Sequence, residues 1–315
     1  MTDHPLRGIA LMIAFCALAP LADSVAKLIG AAVPLIEILL VRFAVQAALL
    51  WPLARRTGGS SVQVVRRLPR PVLAMLALRT LLQIVGIGLM FLALRWLPLA
   101  DAVAIAFVTP FILLLLGRLL LGEEVGTRRL VACAIGFAGT LLVVQPSFAE
   151  VGAPALLPLG VAVVFALYML ASRRIAKADD PVVLQWLSGL MALPLLAAAL
   201  AVGAALGWPE FVPVWPDGRE VALLLGLGVL GTAAHLAMTW SVRYAPAATL
   251  APIQYVEIPF ATLIGWLVFG DLPNGLAAVG IGITVAAGLL VLHHERRAAL
   301  AARAARAARA PVPQA

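Results

Sequence analysis

Residues 95–123 read RWLPLADAVAIAFVTPFILLLLGRLLLGE, and residues 243–271 read RYAPAATLAPIQYVEIPFATLIGWLVFGD. Laid over each other at an offset of 148 positions, Arg95, Pro98, Gly117 and Gly122 fall on Arg243, Pro246, Gly265 and Gly270, and Glu123 falls on Asp271. Leu141-Leu142-Val143 recurs in the same register as Leu289-Leu290-Val291. Chance overlap in a Leu- and Ala-rich chain does not readily supply Arg-x-x-Pro and Gly-acidic at one shared offset, so the halves read as an internal duplication. The register fails at the charges: Thr109 lies over Glu257, and Arg79 over Leu227. A symmetric frame with asymmetric ionisable groups suits a single site between the halves.

Working outward from these two stretches, the chain is apolar nearly end to end. Hydrophobic residues make up 63% of its 315 positions and charged residues 12%, with a mean hydropathy of +1.05. A soluble domain of this size needs a more polar surface. A hydrocarbon layer of roughly 30 Å takes about 20 apolar residues per helix. Ten such blocks follow one another, at 8–30, 34–54, 71–94, 99–121, 127–145, 153–172, 181–205, 219–243, 248–269 and 273–292. They are rich in Leu, Ala and Gly rather than alternating, which excludes a β-barrel. The expected fold is an all-α membrane protein of ten transmembrane helices, arranged as two inverted five-helix repeats. The first repeat covers 8–145 and the second 153–292, and a basic tail covers 293–315. An odd number of spans per half turns the second half upside down, which is a transporter architecture.

The net charge of +8 does not indicate nucleic acid, because its distribution follows the loops. Arginines cluster between spans 2 and 3 (Arg55, Arg56, Arg66, Arg67, Arg70), between 4 and 5 (Arg128, Arg129), between 6 and 7 (Arg173, Arg174, with Lys177) and after span 10. The other side holds little beyond Arg95 and Arg219. This positive-inside alternation puts both termini in the cytoplasm of a multi-pass inner-membrane protein. Arg7, the following apolar run and Ala17-Leu18-Ala19 mimic a signal peptide. Cleavage there would leave nine spans and break the alternation, so this block is read as span 1. Cys16 and Cys133 lie inside spans without metal-ligand spacing, and no zinc, P-loop or dinucleotide motif occurs. Neither a metal nor a cofactor is expected.

Ionisable groups at membrane depth cost about 2.5–3.5 kcal/mol even on lenient scales, so they face the bundle interior, pair or line a wet cavity. Span 1 carries Asp23 and Lys27, span 2 Glu37 and Arg42, span 3 Arg79 and Gln83, span 8 His235, and span 9 Gln254, Tyr255 and Glu257. With Tyr168 of span 6, these are the candidate substrate-binding or coupling residues. Arg42 and Arg79 suit a substrate carboxylate. Asp23 and Glu257 suit a substrate cation or a coupling proton or sodium ion. Gln254 and Tyr255 suit orientation, and Tyr168, Trp240 and Tyr255 offer rings for stacking. Structural roles compete at several positions. Lys27 and Glu37 also suit snorkelling to outer headgroups, Asp23 with Arg42 an interhelical ion pair, and His235 plain packing. Asp101 reads as the cap of span 4, Glu123 and Glu124 as partners of Arg128 and Arg129, and Asp179-Asp180 before Pro181 as a helix start. Pro110 and Pro259, in the matched spans 4 and 9, free the carbonyls of Ala106 and Tyr255 and mark hinges or static kinks.

In these residues the chain resembles the drug/metabolite transporter superfamily, EamA type. The resemblance rests on Asp23-Ser-Val-Ala-Lys27, Glu37 to Arg42-Phe43, Leu78-Arg79, Thr109-Pro110-Phe111, Leu121-Gly122-Glu123-Glu124, Tyr255-Val-Glu257 and Phe269-Gly270-Asp271, in this order across ten spans. It implies two inverted repeats around a central cavity, spans 5 and 10 at the periphery, and secondary transport of a small organic metabolite. The motifs of spans 1, 2 and 9 look closest to the branch of S-adenosylmethionine and riboflavin uptake carriers. Amino-acid and metabolite exporters share the same frame. A membrane-embedded lipid-modifying enzyme is the rival from another class, and it needs a nucleophile–base or metal cluster at one membrane face. Partners expected on this reading are a small-molecule substrate and the lipid bilayer. The oligomeric state is not encoded in an obvious motif, since Gly136 and Gly139 suit contacts within or between subunits alike.

Overall fold

Why the apolar blocks become helices is set by the bilayer: every backbone group there needs an internal partner, and a helix supplies one along its own length. The computed structural model describes residues 5–122, 126–144 and 152–270 together with some positions from 275 to 297. Its helices are α1 (Pro5–Ile29), α2 (Leu35–Gly58), α3 (Ser61–Arg67), α4 (Arg70–Leu94), α5 (Leu99–Ala106), α6 (Thr109–Leu121) and α7 (Thr127–Val144) in the first half. The second half has α8 (Leu157–Ile175), α9 (Pro181–Ala205), α10 (Gly218–Tyr244), α11 (Ala247–Gln254) and α12 (Glu257–Phe269). Six of them, α1, α2, α4, α8, α9 and α10, are each long and apolar enough to cross a membrane. They correspond to spans 1, 2, 3, 6, 7 and 8, and α7 corresponds to span 5. Of span 10 the described positions are helical; the rest of it and most of the basic tail lie outside the described residues.

Spans 4 and 9 depart from the expected single helices. Each is broken: α5 gives way to α6 at Phe107-Val108, and α11 to α12 at Tyr255-Val256. All four boundaries of the first pair recur in the second at the 148-residue offset. The prolines explain the breaks. Pro110 and Pro259 lack an N–H and sit in the first turn of α6 and α12, where that loss is tolerated. Of the carbonyls they release, Ala106 accepts from the Thr109 hydroxyl at 2.7 Å, and Tyr255 accepts from the Ile258 amide at 3.3 Å. Gly122 and Gly270 then end the two half-helices at φ 64° and 76°, in left-handed caps where a side chain is strained.

The packing repeats with the sequence. α1 lies along α10 as α4 lies along α8, α6 meets α8 as α12 meets α1, and α2 and α9 pair across the middle. Each of these contacts thus has its counterpart with the roles of the halves exchanged. Small residues allow these close crossings. At Gly189 a Cβ would come within 3.2 Å of the Ala47 amide, and at Gly231 within 2.8 Å of Arg42 Nε.

The two ends of the bundle are tied separately. At one end Arg67 pairs with Asp179, Arg173 donates to the Val242 carbonyl at 2.7 Å and Arg243 donates to the Asp179 carbonyl. At the other, Lys27 Nζ donates to the Leu97 carbonyl at 2.9 Å, the Val214 amide donates to Glu37 at 3.1 Å and Arg95 meets Glu210 at 3.5 Å. Connections 2–3, 6–7 and 8–9 therefore share one end, and 1–2, 3–4 and 7–8 the other. Asp180 caps α9 by accepting from the Val182 amide at 2.8 Å, as its place before Pro181 suggests. Glu123 and Glu124, and the side chains of Asp101, Arg128 and Arg129, lie outside the described residues.

Candidate functional site

The two broken helices face each other, and between them, α1, α4, α8 and α10 is a cavity of about 100 Å³. Both breaks border it at mated positions: Ala106 and Thr109 from the first half, Gln254 and Glu257 from the second. The remaining walls come from stripes at helical spacing. Phe15, Ala19 and Asp23 line it from α1, and Gln83, Gly86, Ile87 and Met90 from α4. Val161, Phe165 and Tyr168 line it from α8, and His235 from α10.

One side of the cavity is aromatic. Phe15 and Phe165 stack with centroids 5.6 Å apart and planes inclined by 13°. Phe165 continues to Tyr168 at 5.8 Å, and His235 meets Tyr168 edge-on at 5.5 Å. The Tyr168 hydroxyl lies 3.1 Å from His235 Nδ1. The polar groups are sparse and differ in kind. Asp23 and Glu257 have no basic nitrogen within 4 Å and no side-chain hydrogen bond among the described residues, although Glu257 is only 9% exposed. Gln83 is 2% exposed, and neither its amide nitrogen nor its amide oxygen has a partner among the described residues. Gln254 donates to the Met169 sulfur at 3.4 Å. Among the described residues no lysine or arginine lines this cavity. Arg42 instead borders a smaller adjoining void of about 30 Å³, together with Asp23 and His235. One arm of its guanidinium reaches the Gly231 carbonyl at 3.4 Å, and the other has no partner.

Arg79 is placed differently. It is 0% exposed and lies off the cavity, behind Tyr168. Nε donates to Ser172 at 2.8 Å, Nη1 to Ser188 at 2.6 Å, and Nη2 to Tyr168 at 3.0 Å, to Thr239 at 2.9 Å and to Gln185. Gln185 in turn donates to Gln46 at 3.1 Å. Neutral oxygens from three other helices therefore engage all three guanidinium nitrogens, and its central carbon lies 4.9 Å from the Tyr168 ring centroid.

Of the eleven residues singled out from the sequence, Asp23, Gln83, Tyr168, His235, Gln254 and Glu257 border the main cavity, and Arg42 borders the void beside it. Four do not reach it. Lys27 and Glu37 are held by backbone partners at the end that carries connections 1–2, 3–4 and 7–8, and Lys27 also sits 5.1 Å over the Phe269 ring. Arg79 is turned into its nest of hydroxyls. Tyr255 packs on Gly136 and lies 5.5 Å from its mate Phe107, with its hydroxyl unpartnered. Trp240 stacks on Tyr244 at 5.6 Å, away from the cavity. No ion pair joins Asp23 to Arg42 within 4 Å. Sequence reasoning missed Phe15, Phe107, Phe165 and Thr109. Phe15 precedes Ala19 and Asp23 by one and two turns, and Phe165 precedes Tyr168 by three residues. Thr109 is the mate of Glu257. A face-by-face reading around the charged positions finds all but Phe107.

A cavity at the breaks of two symmetric, discontinuous spans is a carrier arrangement, and comparison with known proteins agrees. The riboflavin transporter of Rhizobium johnstonii is 31% identical over 220 residues, 70% of each chain. The riboflavin transporter of Vibrio cholerae is 28% identical over 93% of this chain and 95% of its own. The pseudopaline exporter CntI of Pseudomonas aeruginosa is 26% identical over 87% of this chain and 92% of its own. Residues 6–145 and 153–293 each match the EamA-like transporter family, and the chain belongs to that family as a multi-pass inner-membrane protein of two five-helix repeats.

Proposed function

We propose that this chain is a secondary carrier that takes up a small metabolite with a flat heteroaromatic ring, riboflavin foremost, by alternating access across the inner membrane. The observation that carries the reading is the cavity at the paired breaks, lined by stacked rings and by two carboxylates with no basic nitrogen within 4 Å among the described residues. Aromatic walls bind flat rings by offset stacking. A cavity bordered by Asp23 and Glu257 and by no lysine or arginine favours a neutral or cationic substrate, or a coupling proton or sodium ion. Arg42 and Arg79, first read as a carboxylate clamp, have no part in this version of the site. The similarity to two riboflavin transporters supports the ring class.

Alternating access follows from size. Pockets that enclose drug-sized ligands measure about 300–1,000 Å³, whereas this cavity measures about 100 Å³. A ring system enters only as the halves part, and the breaks at 107–108 and 255–256 are places where the helix ladder is already interrupted, so bending there costs few further helix bonds. In this reading the arginine-rich connections and both termini face the cytoplasm.

The test is uptake of labelled riboflavin by proteoliposomes, together with growth rescue of a riboflavin auxotroph. Uptake by the wild type that drops at least tenfold in Glu257→Gln supports the proposal. Absence of uptake in a correctly folded wild type removes it. The second reading, export, is favoured by the similarity to the pseudopaline exporter. Transport that runs only in inside-out vesicles would select it. All three relatives are transporters, which favours carriage over lipid-modifying chemistry.

A further inference from the structure

The geometry points to Gln83 as the residue that determines which ring the cavity accepts: its amide reads a ring edge with adjacent hydrogen-bond donor and acceptor atoms, such as the N–H and C=O of a cyclic imide. This deepens the proposed uptake of flat heteroaromatic metabolites and rests on it.

A buried primary amide normally finds partners for both its ends. Gln83 finds none for either, although it is 2% exposed and borders the cavity. Two orphaned polar atoms in one side chain are expensive, because each forfeits its hydration without an internal replacement. Nearby amides show what satisfaction looks like. Gln46 and Gln185 pair with each other, and Gln185 also accepts from Arg79. Gln254 reaches Met169. Gln83 alone of these four glutamines has an unused donor and an unused acceptor, which lie side by side in one plane.

The surroundings fit a ring in that plane's reach. Gly86, one turn along α4, also lines the cavity, and its missing side chain lets Val164 of α8 pack against the helix there, within 3.3 Å of where a Cβ would stand. The stacked Phe15 and Phe165 rings border the same cavity and offer a face for such a ring. A planar amide forms two parallel hydrogen bonds to any edge that presents a neighbouring donor and acceptor. The flavin ring presents such an edge at its imide, where N3–H lies between two carbonyls. Stacking holds any flat ring, and the paired hydrogen bonds select among them.

Titration of purified protein with riboflavin and with N3-methylriboflavin, read by quenching of flavin fluorescence, tests the pairing. The methyl group removes the edge's donor and leaves its stacking face intact. Wild type is expected to bind riboflavin at least tenfold more tightly than the methylated flavin, about the discrimination of one bidentate pair. In Gln83→Met, which keeps the side chain's length, that preference collapses to within about twofold, with riboflavin weakened to the level of its methyl derivative. Wild type binding both flavins alike overturns the inference without any variant, whatever the folding of Gln83→Met. A tenfold preference that survives in Gln83→Met also overturns it, since Gln83 then serves only packing or an ordered water. Those two results leave the uptake proposal standing. Failure of wild type to bind either flavin overturns both.

Discussion

Two charged regions lie one side chain apart in this molecule, and they are built on opposite terms. Arg79 is wrapped by Tyr168, Ser172, Gln185, Ser188 and Thr239, so its charge is spread over five neutral oxygens, and it lies off the cavity at the breaks. Asp23 and Glu257, on the far side of Tyr168, face open space with no basic partner within 4 Å. Burial alone does not separate the two, since Glu257 is 9% exposed and Arg79 0%. Partnering does. A buried charge whose nitrogens are each engaged holds helices together, whereas one left unengaged beside a cavity is kept for something that comes and goes. Tyr168 belongs to both regions and passes the position of one to the other.

The contrast breaks most visibly at Arg79. Arg79→Leu leaves five polar groups from α8, α9 and α10 without their common donor, and hydrogen bonds to a charged group contribute about 1.5–3 kcal/mol each. A loss of about 3 kcal/mol or more is expected, seen as a collapse of monodisperse protein in size-exclusion chromatography. Full folding of Arg79→Leu with unchanged uptake would show that the nest is not structural. Glu257→Gln and Asp23→Asn are expected to do the reverse. Each keeps the size of the side chain and the thermal midpoint, and each lowers riboflavin uptake at least tenfold, on the scale of a lost charged contact. If both variants transport normally, the distinction between engaged and unengaged charges has no functional content. A smaller effect belongs to Gly231→Ala. Its methyl group would meet Arg42 at 2.8–3.1 Å, so overpacking of about 1–3 kcal/mol is expected at the α2–α10 contact, read as a lowered thermal midpoint with flavin affinity within about threefold. An unchanged midpoint would mean that Arg42 is free to swing away.

How much of this was written in the sequence depends on which interactions are local. The duplication was legible because its markers, Gly122 and Gly270, are needed for backbone reasons that survive divergence, namely φ of 64° and 76° at the ends of α6 and α12. The breaks inside spans 4 and 9 were half legible. Pro110 and Pro259 announce a disturbance, but a proline reads equally as a kink within a helix or as the first turn of a new one. Only the Thr109 hydroxyl on the Ala106 carbonyl shows which applies. The role of Arg79 was illegible. Its charge stands out in an apolar run, yet its partners lie 89 to 160 residues away on three other helices, and each is an ordinary serine, threonine, tyrosine or glutamine. Tyr255 misled for a related reason: next to Glu257 in sequence, it sits at the break, where the turn of the backbone sends it toward Gly136 instead of the cavity. The aromatic wall was the reverse case, present as a stripe at Phe15, Ala19 and Asp23 that the charges overshadowed.

The smallest effects are expected at Lys27 and Glu37, and they probe the same contrast from its weak end. Both are charged, both were candidates for substrate contact, and both are engaged with backbone groups near connections 1–2, 3–4 and 7–8 rather than with the cavity. Glu37 accepts from the Val214 amide in an exposed setting. Water can replace a hydrogen bond there at a net cost of about 1 kcal/mol or less. Glu37→Gln retains an acceptor for Val214, so its midpoint and its riboflavin KM are expected within error of wild type. Lys27→Met gives up the bond to Leu97 and the contact over Phe269 while keeping an apolar stem against the same surface. A slight loss of stability with unchanged KM follows. A tenfold rise in KM at either position would mean that substrate passes along the joined ends of α1 and α2 on its way through. That path would place an engaged charge among the functional ones and dissolve the rule that the Arg79 nest and the Glu257 cavity together suggest.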